Sequence, residues 1–325
     1  MDALARILQP IAADMERFNT LFNETLHHDN PLLRIALEHL AKRRGKQMRP
    51  ILIILSARLY GQVTDAVLYA AVAMELLHTA SLVHDDVVDE SDRRRGQESI
   101  NALLDNKAAV LVGDFILSKS LEAAAMTGSV EFFHKMAGLG QTLADGELIQ
   151  LNTINTDTFE ESAYYEVVAK KTASLFSTCA QVGAMLCGGT ADEAERMRQF
   201  GKLLGICFQL RDDIFDFIRI DVGKPAGHDM KEGKLTLPVI FALRKGGERG
   251  EEMIQLALKV RRREATDEDI MQLVDYTRQQ GGLEYAQWAM DEFRMMALGL
   301  IPDSAPADIV QAFTDYVDFV AERLV

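Results

Sequence analysis

Apolar residues in this chain recur in long runs broken by single polar or charged ones, and they nowhere alternate strictly with polar residues over a strand's length. Only seven prolines occur, none between Pro50 and Pro225. A stretch that long without proline, rich in Ala, Leu, Met, Glu and Lys, predicts successive long helices. Helix starts are signalled where Thr158 precedes Glu161, Thr190 precedes Glu193 and Thr266 precedes Asp269. Each pair resembles a capping box, the last with Asp in place of Glu. Gly246-Gly247 and Gly281-Gly282 break the helical pattern towards the C-terminus. The run from Ala66 to Val83 is mostly apolar, but it holds Glu75 and His78 and leads straight into an acidic cluster. A buried core helix is therefore expected there rather than a membrane span. The 325 residues would permit two domains. No linker, low-complexity tract or repeat beyond two short Asp motifs divides them, so the expectation is a single all-α domain over residues 1–325.

Composition narrows the function. The chain is 48% hydrophobic, enough for a large core, and carries a net charge of −14. Acidity disfavours nucleic acid as a partner, because phosphate backbones attract basic surfaces. It favours solubility. Cys179, Cys187 and Cys207 are an odd number in apolar helical context and show no Cys/His metal spacing. They read as buried reduced thiols of a cytoplasmic protein. The first residues lack the basic-then-apolar shape of a signal peptide.

The chemistry centres on Asp-Asp-x-x-Asp, which occurs twice: Asp85, Asp86 and Asp89, then Asp212, Asp213 and Asp216. On a helix, positions i and i+4 share a face and i+1 lies beside them, so each copy gathers carboxylates at one spot. A single acidic pair is ordinarily solvated surface or a cap. Two copies in strongly apolar surroundings are different, because carboxylates there are costly unless paired or bound to metal. Oxygen-only ligands favour a hard cation, and Mg²⁺ typically takes one or two carboxylates plus phosphate oxygens. Two such clusters suggest a cage for several Mg²⁺ ions and a diphosphate.

Basic motifs accompany the acids. In Gly45-Lys46-Gln47-Met48-Arg49-Pro50, Lys46 and Arg49 are spaced to converge on one anion, although Lys42, Arg43 and Arg44 just before them also fit an ordinary basic turn. His78 lies about two helical turns before Asp85 and shares its face. Arg93, Arg94 and Arg95 follow the first motif. Arg94 and Arg95 are taken as diphosphate ligands through their planar forks, and Arg93 as surface. Lys170, Lys171 and Thr172 sit on a helix, and Gln209 is placed to face Asp212 and Asp213. Lys224, Asp229 and Lys234 belong to a glycine-rich segment that reads as a phosphate-binding loop over the second cluster. Walker A spacing is absent.

Five of these motifs, in this order between about residues 40 and 240, resemble the trans-isoprenyl diphosphate synthases, also called polyprenyl synthetases. They are Gly-Lys-x-x-Arg-Pro, Asp-Asp-x-x-Asp with a trailing Arg-Arg-Gly, Lys-Thr, Gln-x-x-Asp-Asp-x-x-Asp, and Gly-Lys. The resemblance implies antiparallel helices around a central pocket, usually in a homodimer. It implies head-to-tail condensation of isopentenyl diphosphate with an allylic diphosphate, farnesyl diphosphate being the expected primer. Mg²⁺ would be held by Asp85, Asp86, Asp89, Asp212 and Asp213, with Asp216 a further candidate. Arg94, Lys171, Lys234 and Lys224 would add cations, and Lys46, Arg49, His78 and Arg95 would hold isopentenyl diphosphate. Thr172 and Gln209 would turn oxygen dipoles towards the developing carbocation. The released diphosphate would accept the proton, and product release would involve transient membrane contact.

A class I terpene cyclase would share an acidic cluster but would not need the second, basic site of Lys46, Arg49 and His78. A non-catalytic partner subunit would have eroded Asp motifs, and both are intact here. A short-chain synthase making farnesyl or geranylgeranyl diphosphate differs from a longer-chain one at Ala80 and Ser81, about 6 to 7.5 Å along the helix from Asp85. Bulky aromatics there stop the chain short in this family, so small residues imply a medium or long product, of about thirty to fifty carbons by that depth argument. The deeper stop would come from Met74, Leu77 or the helix around Leu121 to Met126. Ala80→Phe or Ser81→Phe is expected to shorten the product. Chromatographic sizing of the prenyl chains checks this, and unchanged length in both variants would sink it.

Overall fold

A computed structural model describes residues 3–42, 45–94, 96–153, 156–218, 227–302 and 305–322. The helices of eight residues or more are α1 (Ala12–Thr25), α2 (Pro31–Lys42), α3 (Met48–Arg58), α4 (Asp65–Val88), α5 (Asn106–Met126), α6 (Val130–Thr153), α7 (Glu161–Val168), α8 (Ser174–Leu186), α9 (Ala191–Ile218), α10 (Leu237–Lys245), α11 (Gly250–Arg261), α12 (Asp267–Gln279), α13 (Gly282–Leu298) and α14 (Ala307–Ala321). Among the described residues the only strands are Arg93–Arg94 and Gln97–Glu98, a two-rung antiparallel hairpin. The expectation of an all-α protein is met. The chain divides into two compact units. The first comprises residues 1–138, 178–198 and 302–313, the second residues 139–177, 199–301 and 314–325.

In the first unit, α3 and α4 form the core. Every residue from Pro50 to Ala57 is buried, as a helix apolar on all sides must be. α4 is the one helix among the described residues long and apolar enough to cross a membrane, yet most of its apolar window is buried in the protein. Ala70, Ala71 and Ala73 keep α4 slim, and α5 packs along it closely enough for the Ser120 hydroxyl to reach the Ala73 carbonyl at 3.0 Å. Gly183 rests directly on α3: a Cβ there would lie 2.3 Å from the Ile53 carbonyl oxygen.

In the second unit, Val239 and Ile240 of α10 pack with Met253, Val260, Leu273 and Val274 from α11 and α12. Buried with them is Arg261, whose guanidinium stacks over Phe159 at 4.3 Å and donates to the Thr156 carbonyl at 2.5 Å. Those contacts offset the desolvation a lone buried cation would suffer. Gly201 lets the N-terminal part of the chain segment it belongs to approach Phe176, since a Cβ would lie 2.3 Å from that carbonyl oxygen.

Two of the three expected capping boxes form. Thr266 and Asp269 exchange both bonds, and Thr190 and Glu193 do the same. Thr158 does not cap. α7 starts at Glu161 behind Glu160, because the Glu161 carboxylate is engaged instead by the Tyr285 hydroxyl at 2.9 Å and by Arg244 at 3.4 Å. Gly246 ends α10 and Gly281 starts α13, both at positive φ, as the glycine pairs predicted. Cys179 and Cys207 are buried, and burial pushes both thiols up to about 12. Cys187 departs from the expectation. It is only half-buried, with its Sγ 2.9 Å from the Gln62 carbonyl. Gly183→Ala and Gly201→Ala are each expected to lower stability by about 1–3 kcal/mol through overpacking. Gly138→Ala, where a Cβ meets nothing within 4 Å, should be neutral or mildly stabilising. Urea denaturation of the three variants measures the contrast.

Candidate active site

The first Asp motif lies at the C-terminal end of α4. One stripe of that helix, Glu75, His78, Thr79, Leu82, Val83 and Asp86, lines a cavity within the first unit. Phe22, Leu26 and Leu37 supply an apolar wall, and Gly45, Gln47 and Arg94 complete the rim. Gln47 adopts a left-handed conformation at φ 52°, which turns the Gly45-Lys46 loop into α3. Its amide donates to Asn19 at 2.9 Å. Asp86 is 3% exposed and accepts from Arg94 Nε at 2.5 Å. Asp85 is half-buried. Asp89 is exposed and caps the helix instead of extending it, its N–H bonded to the Asp85 carbonyl at 2.8 Å. The expected three-carboxylate helical face therefore stops one residue short. α4 ends at Val88, and the chain reverses through Glu90 at φ 50° into the Arg93–Glu98 hairpin.

The second motif lies within the last turns of α9, so all three of its acids are helical. Asp213 is 1% exposed. Its Oδ1 accepts from Gln209 Nε2 at 2.8 Å and its Oδ2 from the Tyr164 hydroxyl at 2.6 Å. Gln209 in turn accepts from the Thr172 hydroxyl at 2.8 Å. Asp212 points outward and pairs with Arg211. That arginine is buried, stacks 4.6 Å over Phe208, and donates to the Val320 carbonyl at 3.0 Å. Asp216 is buried and accepts the Asp229 N–H at 3.4 Å.

Lys170, Lys171 and Thr172 occupy a π-helical turn, Ala169–Ala173, between α7 and α8. Such turns widen a helix locally and recur at functional sites. Here the turn sends Lys171 towards Glu147 and Gln150, Lys170 towards Asp145 and Glu166, and Thr172 towards Gln209. Lys234 pairs with Glu232 beside the short helix His228–Lys231. Lys46 is exposed and Arg49 half-buried. Arg95 and Lys224 lie outside the described residues. Ala80 is 2% exposed, and Ser81 bonds back to the His78 carbonyl at 2.9 Å. Neither is on the stripe that lines the first unit's cavity.

Negative charge is crowded in the second unit. Burial and the nearby Asp229 raise the Asp213 carboxyl well above the usual carboxylate range. Burial and Asp216 push Asp229 up to about 6. Among the described residues no three acids, histidines or cysteines already converge as a metal-ligand set. The carboxylates are engaged by Arg94, Arg211, Tyr164 and Gln209 instead. The donor chemistry nonetheless suits a hard divalent cation: oxygen-only ligands, with Asp86, Asp213 and Asp216 among them buried.

Tyr164, Arg211, Glu147 and Gln150 were not singled out from the sequence. Tyr164 had a usable signal. It precedes Lys171 by the same two-turn spacing that placed His78 relative to Asp85. The bonds of Glu147 and Gln150 to Lys171, and that of Arg211 to the Val320 carbonyl, run between segments distant in sequence and left no local trace.

A helical protein with this arrangement of paired Asp motifs, Lys-Thr and Gln-x-x-Asp-Asp belongs to the polyprenyl synthetase family, whose model matches residues 30–277. It is a prenyltransferase of isoprenoid biosynthesis, a trans-prenyl diphosphate synthase in a family that is metal-dependent and acts on isoprenyl diphosphates. The octaprenyl diphosphate synthase of Escherichia coli (strain K12) is 34% identical over 306 residues, 93% of this chain and 94% of that one. A geranylgeranyl pyrophosphate synthase from Bacteroides thetaiotaomicron, known by crystal structure, superposes with a TM-score of 0.86 at 41% identity, covering 99% of this chain and 100% of that one. A polyprenyl synthase from Caulobacter crescentus CB15, crystallised with calcium and isoprenyl diphosphate, gives 0.90 at 31% identity over 99% and 98% of the two chains.

Because the Asp229 carboxyl is raised in the folded protein, the folded state holds that proton more tightly than the unfolded chain. Its destabilising effect is complete above about pH 6 and disappears as the pH falls towards the ordinary carboxylate value. Asp229→Asn should therefore raise ligand-free stability at pH 8 by something on the order of 1 kcal/mol. The gain should fade towards pH 4. Denaturation curves at the two pH values check it.

Proposed function

We propose that the protein condenses isopentenyl diphosphate head to tail with an allylic diphosphate, farnesyl diphosphate serving as primer, and releases a medium- to long-chain all-trans polyprenyl diphosphate of about thirty to fifty carbons, a length argued from the small side chains of Ala80 and Ser81 one to two helical turns before Asp85. The observation that carries this reading is the run Thr172, Gln209, Asp213 in the second unit, a hydrogen-bonded chain that leads from the Lys171 turn into crowded carboxylates. That is the equipment for a leaving diphosphate and the cation it leaves behind.

Asp85, Asp86, Asp89, Asp212 and Asp213 would hold Mg²⁺, with Asp216 supporting them. When bound, the metal supplies Lewis-acid stabilisation of the departing diphosphate. The chain's own cations add to it. Arg94 is preset on Asp86 and Lys171 on Glu147, each able to exchange a carboxylate for diphosphate oxygens. Lys234, paired with Glu232, would do the same, and Lys224 would add a further cation. Lys46, Arg49, His78 and Arg95 would hold isopentenyl diphosphate, and His78 already lines the cavity beside Asp86. The allylic C–O bond breaks, the isopentenyl double bond attacks the carbocation, and a proton passes to the released diphosphate. Water must be kept out while the cation lives, and the apolar wall of Phe22, Leu26 and Leu37 would serve that need. A homodimer in the cytoplasm, touching a membrane transiently to shed its product, completes the reading.

Product length has two readings with support. The octaprenyl relative and the small Ala80 and Ser81 favour the longer chain. The geranylgeranyl pyrophosphate synthase at 41% identity favours the shorter. Incubation with Mg²⁺, farnesyl diphosphate and isopentenyl diphosphate, followed by sizing of the products, separates them. The longer reading expects a narrow band beyond geranylgeranyl diphosphate, and geranylgeranyl diphosphate alone would overturn it. Asp85→Ala should cut turnover by about a hundredfold or more, as loss of charge stabilisation at the reacting group does. A change in stability with the rate intact would mean that the cluster is structural.

A further inference from the structure

Tyr164 belongs to no motif read from the sequence, and the reaction as proposed does not use it. Its ring packs edge-on against Tyr165, 5.2 Å between centroids, and its hydroxyl donates to Asp213 Oδ2 at 2.6 Å. The opposite oxygen of Asp213 accepts from Gln209 at 2.8 Å. A carboxylate offers roughly four acceptor positions, so both bonds leave directions open to a cation.

The two donors do different things. Gln209 sits one turn before Asp213 on α9 and travels with it. Tyr164 stands on α7, which runs directly into the π-turn of Lys170, Lys171 and Thr172. The tyrosine bond therefore references the Asp213 carboxylate to the element that carries the lysine and threonine. Thr172, through Gln209, closes the same circuit from the other side. Three side chains, from α7, the π-turn and α9, thus fix the Asp213 carboxylate against the rotation about its terminal bond that is otherwise broad and soft.

We propose that Tyr164 is a positioning residue for the metal–diphosphate site: its hydroxyl sets the rotation of the Asp213 carboxylate and keys it to the Lys171–Thr172 turn, so that cation and diphosphate meet a preset ligand. The proposal rests on the reading of Asp213 as a ligand of that complex. Groups that orient metal-binding side chains typically contribute 10- to 100-fold to affinity or activity. A tyrosine that merely filled space would contribute to stability alone.

The test uses the full chain with Tyr164→Phe, which removes one oxygen and keeps the ring. Tyr165→Phe is the control, since it strips the neighbouring hydroxyl. Two readouts are needed: the rise in melting temperature on adding Mg²⁺ with inorganic pyrophosphate, and the Mg²⁺ concentration for half-maximal turnover. For Y164F the half-maximal Mg²⁺ concentration should rise about tenfold and the pyrophosphate-induced rise in melting temperature should shrink. Y165F should match the wild type in both. Wild-type responses from Y164F, or an equal loss from Y165F, would overturn the proposal. Asp213→Asn separates this from failure of the underlying reading. If D213N abolishes the Mg²⁺-pyrophosphate response while Y164F retains it, only the positioning role falls. If D213N also responds like wild type, the ligand assignment itself falls.

Discussion

A carboxylate removed from water must find donors, a counter-charge or a cation, and the second unit is organised around that requirement at Asp213. At 1% exposure it receives two neutral donors, Tyr164 and Gln209, and Thr172 secures Gln209 in turn. Neutral donors satisfy the oxygens without cancelling the charge. The field of Asp213, with Asp216 and Asp229 close by, is therefore left to act on whatever binds there. That residual charge is visible in the upward displacement of both Asp213 and Asp229.

The first unit solves the same problem differently. Asp86 is as deeply buried, but its partner is a guanidinium, Arg94, delivered by a two-rung hairpin that follows the end of α4. The buried second acids of the two copies thus rest in unlike electrostatic states, Asp86 balanced by a cation and Asp213 held by dipoles. The difference follows from where each copy lies on its helix. The first runs off the C-terminus of α4, leaving Asp89 exposed as a cap, whereas α9 continues past Asp216 and keeps its three acids in register.

A geranylgeranyl pyrophosphate synthase and a protein named only as a polyprenyl synthase share this fold closely, with TM-scores of 0.86 and 0.90. A fold hosts chemistry without setting its finer specificity, which resides in the side chains that bound the site. In this chain the stripe from Glu75 to Asp86 selects which faces of α4 meet the cavity of the first unit. Ala80 and Ser81 fall on other faces of the same helix, so any influence they have on chain length is exerted elsewhere than in that cavity.

Helix content, the start of α12 at Thr266, the end of α10 at Gly246 and the start of α13 at Gly281, and the identity of the acidic and basic motifs were all legible in the sequence, because each depends on neighbours within about one or two turns. The family followed from the order of motifs. What the sequence did not disclose is who holds each functional group at rest. Arg94 on Asp86 could be guessed from proximity, but Tyr164 on Asp213, Glu147 on Lys171 and the Val320 carbonyl on Arg211 join segments far apart in the chain. The failed cap at Thr158 has the same cause, since Glu161 answers to Tyr285 and Arg244 rather than to its own first turn. Local propensity writes the elements. Which donor meets which acceptor is decided only when those elements pack, because a buried polar group takes the partner that the tertiary structure brings within reach.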